Sequence, residues 1–175
     1  GLVLDYSMED NFILEIYGLP PYSRKGFLNR KAIRDHAEKL IQDFDVRSGQ
    51  GALSVGRTLS GGNQQKAIVG REIDHDPDLL LAVQPTRGLD VGSIEYIHKR
   101  LVEQRNNGKA VLLVSLELDE ILDLSDRIAV ISHGELTGVK LPKETNESEI
   151  GLMMAGIAGM IGCVPRREFR RANRA

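Results

Sequence analysis

The chain has 175 residues, 27% of them charged, and a formal net charge of -2, as expected for a soluble domain with a sizeable core. This near-neutral balance excludes bulk attraction to nucleic acid or to anionic lipid. A single cysteine, Cys163, excludes an internal disulfide, and the longest weakly polar run, residues 151–164, is too short to span a bilayer. We therefore expect no nucleic-acid partner and no direct membrane insertion.

The first part of the chain predicts two helices. Ser7, followed by acidic Glu9 and Asp10, predicts a helix that begins near Ser7 and is broken at residues 19–23, where two prolines occur. Asn29 is a suitable cap for a second, amphipathic helix. Its apolar positions recur at a spacing of three to four residues: Ile33, Ala37, Leu40, Ile41 and Phe44.

A glycine-rich loop at residues 46–58 leads into the octet LSGGNQQK at residues 59–66. Ser60 can cap the first free N–H groups of a helix, and Gly61 and Gly62 let the backbone approach a ligand closely. The helix dipole adds partial positive charge at that end. The octet therefore predicts an anion-binding helix start, and the alternative is a glycine-rich turn before an ordinary helix.

The remainder of the chain alternates strand and helix patterns. A continuous apolar run at residues 79–83 predicts a parallel strand that is buried on both faces. The segments that follow are a helix at 90–107 ending at Gly108, a buried strand at 110–115, a helix at 118–124, a strand at 127–132, a His133-Gly134 turn, a strand at 135–139 and a helix at 148–154. This alternation predicts an α/β fold with a mainly parallel sheet.

The octet resembles the signature motif of ABC-type ATPases, and three later segments follow that family's order. Residues 78–86, DLLLAVQPT, resemble the Walker B strand, residues 87–90 resemble the D-loop, and residues 111–120 resemble the strand and switch segment. The sequences GGNQQK and QPTRGLD are typical of the second ATPase half of double-cassette subunits in bacterial simple-sugar and nucleoside importers. The resemblance covers about residues 1–155 and implies part of a P-loop NTPase core plus a helical signature subdomain.

The resemblance also implies a division of the chain into three parts. Residues 1–75 would form a mostly helical subdomain ending in the signature motif and its helix. Residues 76–155 would form the C-terminal part of the α/β ATPase core. Residues 156–175 are expected to be a disordered tail or an expression remnant, and the alternative is a basic segment that binds an acidic partner or a membrane surface.

The catalytic positions of the family are altered or missing in this sequence. No Walker A string G-x-x-x-x-G-K-[ST] occurs, so the resemblance implies a fragment that lacks the N-terminal part. Val83 and Gln84 occupy the Walker B Asp-Glu positions, and Leu116 occupies the switch position that is usually histidine. A one-residue shift of the alignment is the alternative, but Pro85-Thr86 and Asp90 oppose it. No metal site is predicted, because four histidines lack metal-ligand spacing and are expected on the surface or in turns: His36, His75, His98 and His133.

The resemblance implies that the signature acts in trans on ATP held by the other ATPase half of the same subunit. Ser60 would donate to the γ-phosphate, Gly61 and Gly62 would offer N–H donors, Gln64 would line the site, and Asp90 would couple the two halves. ATP and Mg²⁺ are expected in the full assembly and not on the isolated chain, which is expected to be inactive.

The same resemblance predicts a membrane permease that is contacted through the helical subdomain, at the cytoplasmic side of the bacterial membrane. Two alternatives remain open. One is an ABC protein of translation or DNA repair that transports no solute, although neither coiled-coil heptads nor basic linkers are visible. The other is an interaction module that binds no nucleotide.

Overall fold

The computed structural model describes residues 1–157 and divides them into two compact units, which meet between Val114 and Ser115 in the sequence. The helices of the first unit are α1 (Met8–Phe12), α2 (Arg30–Asp43), α3 (Gly61–Asp74) and α4 (Val91–Asn106). Its strands are β1 (Ser23–Arg24), β2 (Phe27–Leu28), β3 (Leu79–Val83) and β4 (Ala110–Val114). The second unit contains α5 (Leu118–Leu124), β5 (Ile128–Ser132), β6 (Glu135–Lys140) and α6 (Glu147–Met154).

The helix starts that were predicted from capping residues are confirmed. Ser7 Oγ accepts a hydrogen bond from the backbone N–H of Asp10 at 3.2 Å, and Asn29 Oδ1 accepts one from Ala32 at 3.2 Å. The predicted end of the first helix is wrong, because α1 ends at Phe12 rather than near Leu19. The chain from residue 13 onward instead forms successive turns, since Gly18 and two prolines disfavour helix.

A short antiparallel hairpin, β1–β2, was not predicted from the sequence. Ser23 pairs with Leu28 and Arg24 pairs with Phe27. Lys25 and Gly26 form the turn with φ values of 53° and 83°, as the primed turns of two-residue hairpins require. A lysine is a rare first residue for such a turn, which is why the sequence signal was weak.

The core of the helical part is formed by α1, α2, α3 and the loop between α2 and α3. The buried apolar face predicted for α2 is confirmed at Ile33, Ala37 and Leu40. Two short 3-10 turns, Gly51–Leu53 and Gly56–Thr58, shape the predicted loop. The buried residues of this cluster are Met8, Phe12, Ala37, Leu40, Phe44, Val46, Ala52, Leu59 and Ala67.

Strands β3 and β4 form the predicted parallel pair, in register from Leu79–Ala110 to Val83–Val114. The prediction that both faces of β3 are buried is wrong. Leu80 and Ala82 are buried against α4, whereas Leu79, Leu81 and Val83 are each exposed by 58 to 59%. The predicted burial of β4 is likewise wrong, since Leu112 is 53% exposed. The alternation arises because, within residues 1–114, helices cover only one face of this pair.

The second unit is a hairpin of β5 and β6 with α6 packed against it. The predicted turn is confirmed, with positive φ at His133 and Gly134, and it makes β5 and β6 antiparallel. Four residues form the buried core: Ile128, Val130, Ile150 and Met153. The chain is therefore a mixed α/β structure, in which β3 and β4 supply the parallel pairing.

No helix within residues 1–157 combines the length and apolar character that a bilayer span requires. The tail predicted at residues 156–175 lies, apart from its first two residues, outside the described part of the chain. The division into a helical subdomain at 1–75 and a core at 76–155 stays a prediction.

Gly70 in α3 provides a test of the packing between α3 and α2. A Cβ atom at Gly70 would lie 2.8 Å from Cγ of Phe44, so the ring would have to move. We expect Gly70→Ala to lower the free energy of unfolding by about 1 to 2 kcal/mol, because overpacking outweighs the gain of roughly 1 kcal/mol in helix propensity. Urea denaturation followed by circular dichroism measures the change.

The matched control is Gly151→Ala in α6, where a Cβ atom would meet no atom within 4 Å. This variant should raise stability by about 0.5 to 1 kcal/mol through helix propensity alone. Equal stabilisation by both alanines would contradict the tight contact at Gly70.

Candidate functional site

The candidate site is the N-terminus of α3, where Ser60 is the capping residue. Ser60 has an extended backbone, and its Oγ accepts hydrogen bonds from the backbone N–H of Asn63 at 3.4 Å and from Asn63 Nδ2 at 2.8 Å. Ser60 and Gly61 are exposed to solvent. The predicted cap is therefore confirmed, and it lies on an accessible surface.

The two glycines after the cap have different surroundings. The N–H groups of Gly61 and Gly62 have no acceptor within residues 1–157, as expected at the first positions of a helix. A Cβ atom at Gly61 would meet no atom within 4 Å. At Gly62 the same atom would lie 2.4 Å from Oγ of Ser93. Gly61 therefore leaves open space for a ligand, whereas Gly62 is buried against the start of α4.

Gln64 lies half-buried on the side of α3 that faces the preceding loop. Its Nε2 donates hydrogen bonds to the carbonyl oxygens of Gly56 and Leu59, both at 3.1 Å. These two bonds use both hydrogens of the amide nitrogen and tie the segment before the octet to the helix. That Gln64 also lines a ligand site stays a prediction. Only its amide oxygen is left to contact a ligand, because the nitrogen is already bonded to two carbonyls.

Asp90 caps α4 and lies beside the α3 terminus. Its Oδ1 accepts a hydrogen bond from the backbone N–H of Ser93 at 3.0 Å, and its Oδ2 accepts one from Ser93 Oγ at 2.8 Å. These two bonds, the backbone bond first, hold the pKa of Asp90 below its usual range. A Cβ at Gly62 would be 3.2 Å from Asp90 Oδ2, so the fold brings Gly62 and Asp90 together.

Lys66 is a buried residue of the octet for which the sequence suggested no role. It is 8% exposed, its Nζ donates to Asp45 Oδ2 at 2.9 Å, and it lies 4.7 Å from the ring centroid of Tyr96. The hydrogen bond and charge of Lys66 lower the pKa of Asp45. The spacing of the octet could have indicated that Lys66 is buried on the same side as Gly62, because residues four positions apart share one helix face.

Val83 and Gln84 end strand β3 and begin the turn that leads to Asp90. The backbone N–H of Gln84 donates to the carbonyl of Val114 at 2.8 Å, and Gln84 has a φ of 50°. The isopropyl group of Val83 cannot hold a metal ion, and the neutral amide of Gln84 cannot act as a general base. Leu116, in the second unit, is 65% exposed and precedes α5.

The prediction that the histidines are surface or turn residues is wrong for His36. Its side chain is only 13% exposed, with Nε2 3.3 Å from Asp74 Oδ2 and its ring 5.1 Å from that of Tyr22. Burial is the main cause that lowers the pKa of His36. His36 lies on α2 and Asp74 ends α3, so this contact joins two helices away from the Ser60 terminus.

Sequence relatives of the chain are ATP-binding proteins of importers. The chain is 55% identical over 156 residues to the nucleoside import ATP-binding protein NupA of Lactococcus lactis subsp. cremoris. This alignment covers 89% of the chain and 31% of that protein. The chain is 56% identical over 156 residues to the guanosine import ATP-binding protein NupO of Bacillus subtilis, which covers 89% of the chain and 30% of that protein. The chain therefore spans about a third of the length of these relatives.

The structural neighbours are ABC transporter cassettes. A dimeric post-hydrolysis structure of the ATP-binding cassette MJ0796, bound to ADP and Pi, superposes with a TM-score of 0.66 at 23% identity, covering 83% of this chain and 60% of that one. A nucleotide-free cassette from an ABC transporter gives a TM-score of 0.64 at 19% identity, covering 87% and 60%. At these identities the likeness establishes the fold. No protein-family model matches the chain.

The role of Gln64 in holding the preceding loop is tested by Gln64→Glu. A carboxylate cannot donate to the carbonyls of Gly56 and Leu59, so we expect a loss of about 1 to 3 kcal/mol in stability. Hydrogen exchange of residues 56–60 should become faster. Gln65→Glu is the matched control, since Gln65 is the adjacent glutamine and its side chain makes no hydrogen bond within the described residues. Similar effects of the two changes would contradict this role.

Proposed function

We propose that this chain, which has the ABC ATPase cassette fold and is homologous to import ATP-binding proteins, presents the N-terminus of α3 to ATP held by another ATPase half. The observation that carries the proposal is the exposed pair Ser60–Gly61 at a helix start with unsatisfied N–H groups. The helix dipole and these donors favour an anion. The γ-phosphate of ATP is the anion that the signature motif implies.

Three side chains and two backbone N–H groups would act in this contact. Ser60 would donate its hydroxyl proton to a phosphate oxygen while its oxygen keeps accepting from Asn63. The backbone N–H groups of Gly61 and Gly62 would donate in the same direction. The amide oxygen of Gln64 is free for a polar contact, because its nitrogen is committed to the preceding loop. Asp90, at the start of α4, would couple the two halves.

The chain's own catalytic position is the reason for placing hydrolysis elsewhere. Val83 and Gln84 supply neither a carboxylate for Mg²⁺ nor a base for water, and Leu116 has no polar group to offer a phosphate. We infer that ATP and Mg²⁺ are used by the full assembly, with the partner half supplying the phosphate cradle. The isolated chain would then bind and hydrolyse ATP poorly.

The partners of the proposed function are a second ATPase half and a membrane permease. The relatives are named as import ATP-binding proteins, which supports a role in such a machine. Contact with the permease through residues 1–75 would place the chain at the cytoplasmic side of the membrane. Simple sugars or nucleosides would be the solutes.

A non-transport ABC protein of translation or DNA repair is the alternative function, together with an interaction module that binds no nucleotide. The names of the relatives support import over the first. The exposed, uncapped N–H donor of Gly61 supports nucleotide contact over the second.

The proposal is tested by an isosteric pair at the capping position. Both Asn and Asp are good N-caps, so Ser60→Asn and Ser60→Asp should keep α3 equally stable. Only aspartate places a negative charge beside the phosphate, where repulsion at about 4 Å amounts to several kcal/mol at an intermediate dielectric constant. We expect ATP turnover of the full-length assembly with its permease to be at least about tenfold lower for Ser60→Asp than for Ser60→Asn.

Thermal melting of both variants is the control for cap stability. Equal turnover of the two variants, with equal melting temperatures, would show that Ser60 does not face a phosphate.

The proposed asymmetry predicts the opposite result at Gln84. Because this position has no base to lose, Gln84→Ala should leave ATP turnover of the same assembly within about twofold. Steady-state turnover and solute uptake in membrane vesicles measure it. Loss of both on Gln84→Ala would reverse the assignment and make this half the working one.

A further inference from the structure

We propose that Gly62 is a positioning residue whose missing side chain lets Ser93 hold the carboxylate of Asp90, so that the α3 terminus and the start of α4 act as one unit. This inference rests on the proposed function, since it concerns how the same helix terminus passes its position to Asp90. It assigns Gly62 a role beyond its backbone N–H group.

The space around Gly62 is the first observation. A Cβ atom there would lie 2.4 Å from Ser93 Oγ, 3.2 Å from Ser93 Cβ and 3.2 Å from Asp90 Oδ2. Ser93 is itself only 8% exposed and has little room to retreat. Any side chain at position 62 must therefore displace Ser93. Gly61 has no such neighbour, so the two glycines of the octet are not equivalent.

Ser93 is the residue that orients Asp90. Its backbone N–H and its hydroxyl donate to the two different oxygens of the carboxylate, at 3.0 and 2.8 Å. Two donors on separate oxygens fix the plane of the carboxylate as well as its position. Displacement of Ser93 by a side chain at position 62 would break the hydroxyl bond first, because that oxygen lies nearest to the added atom.

The next turn of each helix prevents α3 from tilting away to relieve the contact. Lys66, four residues after Gly62, lies over the ring of Tyr96, three residues after Ser93. Val69 and Ile97, further along, belong to one buried cluster. Contacts on successive turns make the two helices one packed body, so a movement of Ser60 and Gly61 toward a phosphate also carries Asp90.

The structural part is tested by titrating the Asp90 carboxyl by NMR in the full 175-residue chain. Ser93's two bonds and the charge of Lys66 lower the pKa of Asp90. We expect Gly62→Ala to raise this pKa at least as far as Ser93→Ala does, and the double variant to add little to either change. Gly92→Ala is the control, because its Cβ would stand at an ordinary 3.4 Å from Asp90 Oδ1 and should leave the pKa unchanged.

The functional part uses the full-length assembly. Gly62→Ala should lower kcat for ATP about tenfold or more, with a smaller change in KM. Ser93→Ala should lower kcat in the same direction, and the double variant should lose little more than Gly62→Ala alone, because both changes remove the same hydroxyl bond to Asp90. Gly92→Ala should leave turnover unchanged.

The inference would be overturned if the pKa changes were additive in the double variant, or if Gly62→Ala left the pKa of Asp90 unchanged. If Gly62→Ala does not fold, rescue of folding by Ser93→Ala supports the proposed overlap, and failure of that rescue overturns it. The two proposals can fail separately. If the Asp90 pKa changes are non-additive but Ser60→Asn and Ser60→Asp have equal turnover, the trans role is rejected and the positioning of Asp90 is kept.

Discussion

The close packing of α3 on α4 is the constraint on which the rest of the candidate site depends. A glycine at position 62 lets the two helix starts approach until Ser93 and Asp90 fill the gap. Lys66 then lies above Tyr96 one turn later, with its charge balanced by Asp45. Because a protein interior is densely packed, these contacts leave one arrangement of the two termini. The exposed donors at the start of α3 are held in place by that arrangement.

Cations at the C-terminal end of α2 extend the same packing to a third helix. Arg100 of α4 donates to the carbonyl of Asp43 at 2.7 Å and lies over the rings of Phe44 and Tyr96, each 5.1 Å away. Together with Lys66, it brings positive charge to a helix end whose dipole is negative. The helical part of the chain and the helix that follows Asp90 are thereby joined through the side chains of Arg100 and Lys66.

The start of α3 and the end of β3 differ sharply in the chemical groups that they present. Ser60 and Gly61 offer hydrogen-bond donors to solvent at a polarised helix start. Val83 and Gln84 end β3 in a conformation fixed by a backbone bond to Val114, yet their side chains carry neither charge nor base. A helix start of the first kind can bind a phosphate, whereas the Val83 side chain cannot bind a metal ion and the neutral Gln84 amide cannot act as a general base.

The sequence by itself determined the helix starts at Ser60 and Asp90, the parallel pairing of β3 and β4, and the kinship of the octet, because caps and strand patterns depend on residues a few positions apart. Tertiary structure decided which glycine faces solvent and which is buried, since the neighbour of Gly62 is Ser93, thirty-one residues away. It also decided that Leu79 and Leu81 are exposed while Leu80 is buried. A continuous apolar run does not tell whether helices cover one face of the strand or both faces. Contacts between distant residues leave no mark in local spacing.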